Sequence, residues 1–93
     1  MATAILRIKI MPESPETDLE TIKKQVREKI EQEKGVLNPT NPFEEQPIAF
    51  GLKALVVTFA WPEQQDTDLA ENSLKDIKGI SSLEIIDYRR AIG

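Results

Sequence analysis

Residues 3–30 read TAILRIKIMPESPETDLETIKKQVREKI, and within them the spacing of the apolar residues changes character. Leu6, Ile8 and Ile10 alternate with Ile5, Arg7 and Lys9, which predicts a strand over Thr3 to Met11 with one apolar face. Pro12 and Pro15 end it. Thr17-Asp18-Leu19-Glu20 has the Thr-x-x-Glu form of a capping box, which pairs two otherwise orphan backbone donors at a helix start. Leu19, Ile22, Val26 and Ile30 then recur in steps of three and four, one apolar stripe of a helix. Gly35, free to adopt a left-handed conformation, is the expected stop.

Outward from that stretch, Val36 to Gln46 carries Asn38-Pro39 and Asn41-Pro42 and predicts a loop leading into a second strand, Phe43 to Phe50. Pro47 lacks the N–H a central ladder needs, so this strand belongs at a sheet edge. Gly51 turns the chain into a third strand, Leu52 to Trp61. There Val56, Val57 and Phe59 leave both faces largely apolar, as in a central strand or one whose second face meets a partner. Pro62 closes it. Asp66, Thr67 or Asp68 can cap a second helix bearing Ala70, Leu74 and Ile77, with Gly79 as its stop. Ser82 to Arg90, with Leu83, Ile85, Ile86 and Tyr88, predicts the last strand. The order β-α-β-β-α-β assigns the α+β class: a ferredoxin-like sandwich with a four-stranded antiparallel sheet and both helices on one face. Residues 1–93 are expected to form a single domain.

Composition narrows the chemistry. The chain has 93 residues, 40% apolar and 30% charged, with a net charge of 12 − 16 = −4. That balance argues against nonspecific binding to nucleic acid or anionic membrane. There is no His and no Cys, which excludes Ser–His and Cys–His catalysis, thiol redox chemistry, disulfides and Cys/His zinc sites. Carboxylate-bound metals and acid–base work by carboxylates, Lys or Tyr are what remain. No apolar run approaches the roughly 20 residues of a membrane span, and the start has no signal-peptide form. A cytoplasmic protein is expected.

Asp66, Asp68 and Glu71 could ligate a divalent cation, but their place at a helix start favours capping, and no metal is expected. Glu44 and Glu45 resemble an acid–base pair, yet beside a proline-rich loop nothing tunes them. Phe59 and Trp61 share a face and could stack bases. The RNA-recognition pattern of Lys/Arg-Gly-aromatic is absent, however: Phe50-Gly51 is followed by Leu52-Lys53-Ala54. An RNA- or small-ligand-binding module is kept as the alternative function. Acylphosphatase-like hydrolysis needs an Arg in a phosphate-cradling loop after the first strand, and Met11 to Glu16 holds neither Arg nor Gly. Two features stand out. Phe50 lies where the chain turns between strands, either an exposed interface anchor or a core ring. Arg89 and Arg90 place adjacent positive charge near the end of an acidic chain.

Together these two segments resemble the exchange domain of translation elongation factor 1-beta. Pro47 to Leu55 fits that family's Pro-x-(Gly/Ala)-aromatic-Gly-(Ile/Leu)-Lys-x-Leu motif throughout. Thr17-Asp18-Leu19, Thr67-Asp68-Leu69 and the strand Ile80 to Ile86 are also similar, so the resemblance covers nearly the whole chain. Its length, beginning at the first strand without an extension, resembles the short archaeal members. The resemblance implies a guanine-nucleotide exchange factor that promotes GDP release from elongation factor 1-alpha in translation. It implies no cofactor, no enzymatic reaction, no nucleic acid or membrane contact, and a monomer when free. It assigns the GTPase contact to Phe50 as the wedging aromatic, with Gly51 and Lys53 beside it in the motif. A second contact falls to Arg90, or its neighbour Arg89, where the family carries a Lys reaching toward the Mg²⁺ and phosphate site. Arg here is a departure: a wide fork replaces a compact ammonium.

Overall fold

The computed structural model describes residues 3–91. The alternating stretch forms β1 (Thr3–Pro12), in which Ala4, Leu6, Ile8 and Ile10 are buried and the residues between them are not. It is followed by α1 (Leu19–Gln32), β2 (Val36–Leu37), β3 (Phe43–Pro47), β4 (Lys53–Pro62), α2 (Thr67–Lys75) and β5 (Ile80–Ala91). All strand pairs are antiparallel. The order is β2-β4-β1-β5, with β3 on the same flank of β4 as β2.

The expected ferredoxin-like sandwich is present, with one correction. Val36–Leu37 is strand rather than loop, pairing with Ala60 and Phe59, while Phe43–Pro47 pairs with Val57 through Lys53. Between them residues 38–42 bulge outward opposite Thr58, whose carbonyl accepts from the Asn38 N–H (3.1 Å) and whose N–H donates to the Pro42 carbonyl (2.8 Å). The second edge strand is therefore one strand in two pieces, split where Pro39 and Pro42 cannot donate to a ladder. It also stops at Pro47, earlier than expected. Pro47 sits at the edge, as its missing N–H requires.

Both helices cover one face. Ile22, Val26 and Ile30 of α1 and Ala70 and Leu74 of α2 join Leu6, Ile8, Leu55, Val57, Phe59 and Trp61 in a single core. Phe59 and Trp61 lie edge-to-face with centroids 5.7 Å apart, and the indole N–H donates to the carbonyls of Gln65 (3.2 Å) and Asp66 (3.3 Å). Both rings are fully buried beneath the helices, so neither is available to stack a base. On the other face Ala54 and Val56 are buried as well. Glu44 of β3 stands beside Val56, Arg7 of β1 beside Thr58, and their side chains meet across β4 at 3.4 Å. This strap, with the aliphatic stem of Arg7, covers part of the second apolar face, which stays open around Ala60 and the exposed Val36.

The ends of α1 differ from expectation by one residue each. Asp18, not Thr17, is the N-cap of α1: its carboxylate accepts from the Glu20 N–H (3.1 Å) and the Thr21 hydroxyl (2.8 Å). The Thr17 hydroxyl is already engaged by the Ser14 N–H at 3.2 Å. At the other end Lys34, not Gly35, is left-handed (φ 69°). The N–H groups of Lys34 and Gly35 donate to the carbonyls of Glu31 and Ile30 in a Schellman arrangement. Gly35 is required by space instead: a Cβ there would fall 2.5 Å from Ile30 Cγ2 and 3.1 Å from Trp61 Cε3. α2 instead stops at Lys75 with Asp76 as its C-cap, so Ile77, though buried, lies beyond the helix, and Gly79 (φ 94°) turns the chain into β5 three residues past that cap rather than ending the helix.

Candidate functional site

Ile48 to Leu52 connect β3 to β4 through a turn closed by the Leu52 N–H on the Ala49 carbonyl (3.3 Å). Its two central residues, Phe50 (φ 64°, ψ 30°) and Gly51 (φ 77°), are both left-handed, as a type I′ turn demands. Asn-Gly is the usual pair there, because Asn tolerates positive φ and a bulky side chain does not. The Phe50 ring is nevertheless held at this apex with 93% of its surface exposed. A large apolar ring in a strained conformation gains nothing for the free chain. A hollow of about 170 Å³ beside the turn is lined by Pro15, Leu19, Glu45, Gly51 and Lys53 among others.

Lys53 begins β4 just past this turn, 4.0 Å from Glu45. Glu45 also accepts from the Lys23 ammonium of α1 at 2.8 Å, and Lys23 lies 3.6 Å from Glu20. The hydrogen bond from Lys23, and then its charge, hold the Glu45 carboxyl below the usual carboxylate range. The same bond raises the Lys23 ammonium. Glu45 is thus the fixed centre of a charge chain running from α1 to the base of the aromatic turn.

Arg89 and Arg90 do not join this cluster. Along β1, Ile5 lies between Ala60 and Arg89, and Ala4 between Trp61 and Arg90. The arginines are therefore level with the far end of β4. From Lys53 to Trp61, at about 3.3 Å per residue, the two groups stand about 26 Å apart. The long axis of the molecule is 42 Å. Successive residues of a strand face opposite ways, and the two arginines do so here. Arg89 lies on the open face, its Nε 3.1 Å from Asp87. Arg90 shares the helix-covered face with buried Ala4, and its Nε lies 2.8 Å from the Glu63 carboxylate in an ion pair. Neither carboxylate was anticipated from sequence. Asp87 is two residues from Arg89 on one strand, a same-face spacing that signals the pair. Glu63 is distant in sequence and meets Arg90 only through the register of the intervening β1.

Asp66 is the N-cap of α2 and Asp68 lies in its first turn. Among the described residues no group of three or more Asp or Glu side chains is arranged to hold a metal ion. Glu44 and Glu45 are separately engaged by Arg7 and Lys23.

An exposed aromatic turn opening β4 and an arginine pair at the far end of the sheet thus lie on one framework. The family model for the EF-1 guanine nucleotide exchange domain matches residues 5–91. The chain belongs to that family. Elongation factor 1-beta of Methanothermobacter thermautotrophicus is 41% identical over 91 residues, covering 97% of this chain and 98% of that protein. The protein of the same name from Metallosphaera sedula is 35% identical over 92 residues, with 97% of each chain covered. That from Methanocaldococcus jannaschii is 35% identical over 92 residues, 98% of this chain and all of that protein. The similarity to an EF-1 exchange domain therefore spans both ends of the sheet and the helices between them, as the resemblance around Pro47 to Leu55 implies.

Proposed function

We propose that this chain is a guanine-nucleotide exchange factor that promotes GDP release from elongation factor 1-alpha in translation elongation, in the cytoplasm and as a monomer when free. It makes and breaks no covalent bond itself. The observation that carries this reading is Phe50, an exposed ring on a strained turn in a chain of the exchange-domain family. Such a ring supplies apolar anchoring once it enters a pocket of the partner. Gly51 permits the turn and Lys53 adds charge at its base. At the other end Arg90, or Arg89, brings a guanidinium fork suited to phosphate oxygens or to the place of a divalent cation.

A GTPase holds GDP through its phosphate-cradling loop, a Lys and a bound Mg²⁺. A cation delivered there favours the nucleotide-free state, and the coupling is reciprocal: a factor that weakens GDP is weakened by GDP equally. Each 1.4 kcal/mol of coupling changes affinity about tenfold. The spacing of the two ends means that the partner must offer two separate contact points.

Stopped-flow release of fluorescent GDP from elongation factor 1-alpha tests this directly. A large acceleration that saturates with factor concentration is expected. Phe50→Ala is expected to cost tenfold or more in efficiency, about 1.4 kcal/mol or above, with an unchanged circular dichroism spectrum. No acceleration with a matched partner would sink the proposal.

A further inference from the structure

Val36 is 63% exposed, second only to Phe50 among the large apolar side chains exposed on the described residues. The ladder shows what stands beside it. Val36 pairs with Ala60, Ala60 with Ile5, and Ile5 with Arg89. Paired residues share a face, so these four side chains form one row across the open side of the sheet, away from the helices. At about 4.8 Å per strand the row spans about 14 Å. Its first three members are apolar, and Ile5 and Ala60 are only half-buried. The next row, Thr58, Arg7 and Asp87, is polar and already engaged: Arg7 meets Glu44, and Asp87 meets Arg89.

Val36 also divides two hollows. One, of about 420 Å³, is lined by Thr3, Lys34, Val36, Ala60 and Pro62 among others. The other, of about 190 Å³, is lined by Ile5, Val36, Pro39, Thr58 and Ala60 among others. They share Val36 and Ala60, and their remaining walls lie in opposite directions along β4, Pro62 against Thr58. A ridge of this kind is gripped by two apolar side chains that straddle it. Residues i and i+2 of an extended segment project to one side about 6.6 Å apart, which suits that grip. Lys34 borders the larger hollow, and its ammonium is paired with no carboxylate among the described residues. A carboxylate on the incoming segment complements it.

We propose that Val36, Ala60 and Ile5 form a docking shelf for the GTPase, on which two apolar side chains of an extended segment of that partner straddle Val36, with a carboxylate toward Lys34. The shelf rests on the exchange function proposed above. Its row ends in Arg89, one of the two arginines given to the GTPase contact, so a partner that reaches that residue on the open face lies over the shelf. An apolar centre with charged margins is the usual anatomy of a protein interface. Its task is grip rather than release: contacts made equally before and after GDP leaves alter the concentration needed and not the maximal rate.

The test uses the full chain, with maximal GDP-release rate and half-saturating concentration measured separately. Val36→Asp is expected to raise the half-saturating concentration about tenfold and to leave the maximal rate within about twofold. Val36→Thr, nearly the same shape, is expected to raise it about two- to threefold, which keeps the test open if the harsher change disturbs the sheet. Lys34→Gln is expected to raise it about twofold at low salt and to match the parent chain at high salt. Methyl NMR reads the contact without kinetics: the Val36 and Ile5 methyl signals are expected to shift when nucleotide-free GTPase is added. Folded Val36→Asp and Val36→Thr chains at parent values, with those signals unmoved, would overturn the shelf and leave the exchange reading standing. A lower maximal rate at an unchanged half-saturating concentration would overturn it too, since the row would then act on release. Self-association of the parent chain that Val36→Asp abolishes gives the face to a second copy, and a gel shift of labelled RNA that Val36→Asp abolishes gives it to RNA; either result overturns the proposal. No acceleration by the parent chain removes the exchange reading, and the shelf with it.

Discussion

Phe50 carries a conflict between local conformation and function that a single substitution separates. At φ 64° a non-glycine residue without a short polar side chain costs about 1 kcal/mol or more, and an exposed ring returns none of it. Phe50→Asn suits the first central position of a type I′ turn, so it is expected to stabilise the free chain by about 0.5–1 kcal/mol, seen as a higher melting temperature. The same change is expected to lower exchange as severely as Phe50→Ala. A chain that gains neither stability nor loses exchange would show that the ring has some other role in the free fold. Glu45 makes a different claim, about pH. Its carboxyl is held down in the folded chain by Lys23, so it contributes stability above the unfolded value near 4.5 and loses it as pH falls through the lower, folded value. Lys23, raised above 10.5, contributes below that value and loses its share only as pH climbs past it. Glu45→Gln should therefore flatten the loss of melting temperature between about pH 6 and pH 3 while barely changing it between about pH 6 and pH 8.

The elements show which signals are local. β1, α1, β4 and α2 were legible because period two and period three-to-four report burial directly, and the buried residues are those the pattern chose. The caps slipped by one residue because Thr17 and Asp18 are both good caps, and the contact from Ser14 that occupies Thr17 is not written in the helix itself. β2 was invisible: two residues between Gly35 and Asn38-Pro39 carry no period, and only Ala60 and Phe59 across the ladder define them as strand. Of the candidate site, the Phe50 apex followed from turn position, whereas Glu63 followed from nothing short of the assembled sheet. The end of α1 yields a paired prediction. Gly35→Ala drives a methyl into Ile30 and Trp61 and is expected to destabilise the chain by about 1–3 kcal/mol. Lys34→Gly, at the residue that is left-handed, is expected to stabilise it by up to about 1 kcal/mol. Denaturant unfolding of the two variants checks both signs, and the reverse order would contradict the assignment of the Schellman motif.

At the scale of the molecule, the sheet is a spacer with dressed edges. The 38–42 bulge interrupts one edge, and on the other Ile86 is the extra residue between the pairs Arg7–Asp87 and Ile8–Ile85. Neither edge offers a long regular ladder to another strand. Between them β4 runs unbroken from the aromatic turn to the level of the arginines. The two ends stand about 26 Å apart and touch no common residue of this chain, so their losses are expected to add in free energy. The double variant Phe50→Ala/Arg90→Ala is accordingly expected to show the product of the two single losses in exchange efficiency, within about a factor of two. A product that fails badly would mean that one end does not engage until the other has. The distance has a kinetic consequence as well. A partner gripped at one end of a stiff strand meets the other end at an effective concentration of about millimolar, whatever the amount of free factor. In the proposed exchange reaction, returning nucleotide then displaces the arginine end while the aromatic end stays seated, so one encounter supports several attempts at exchange before the two proteins part.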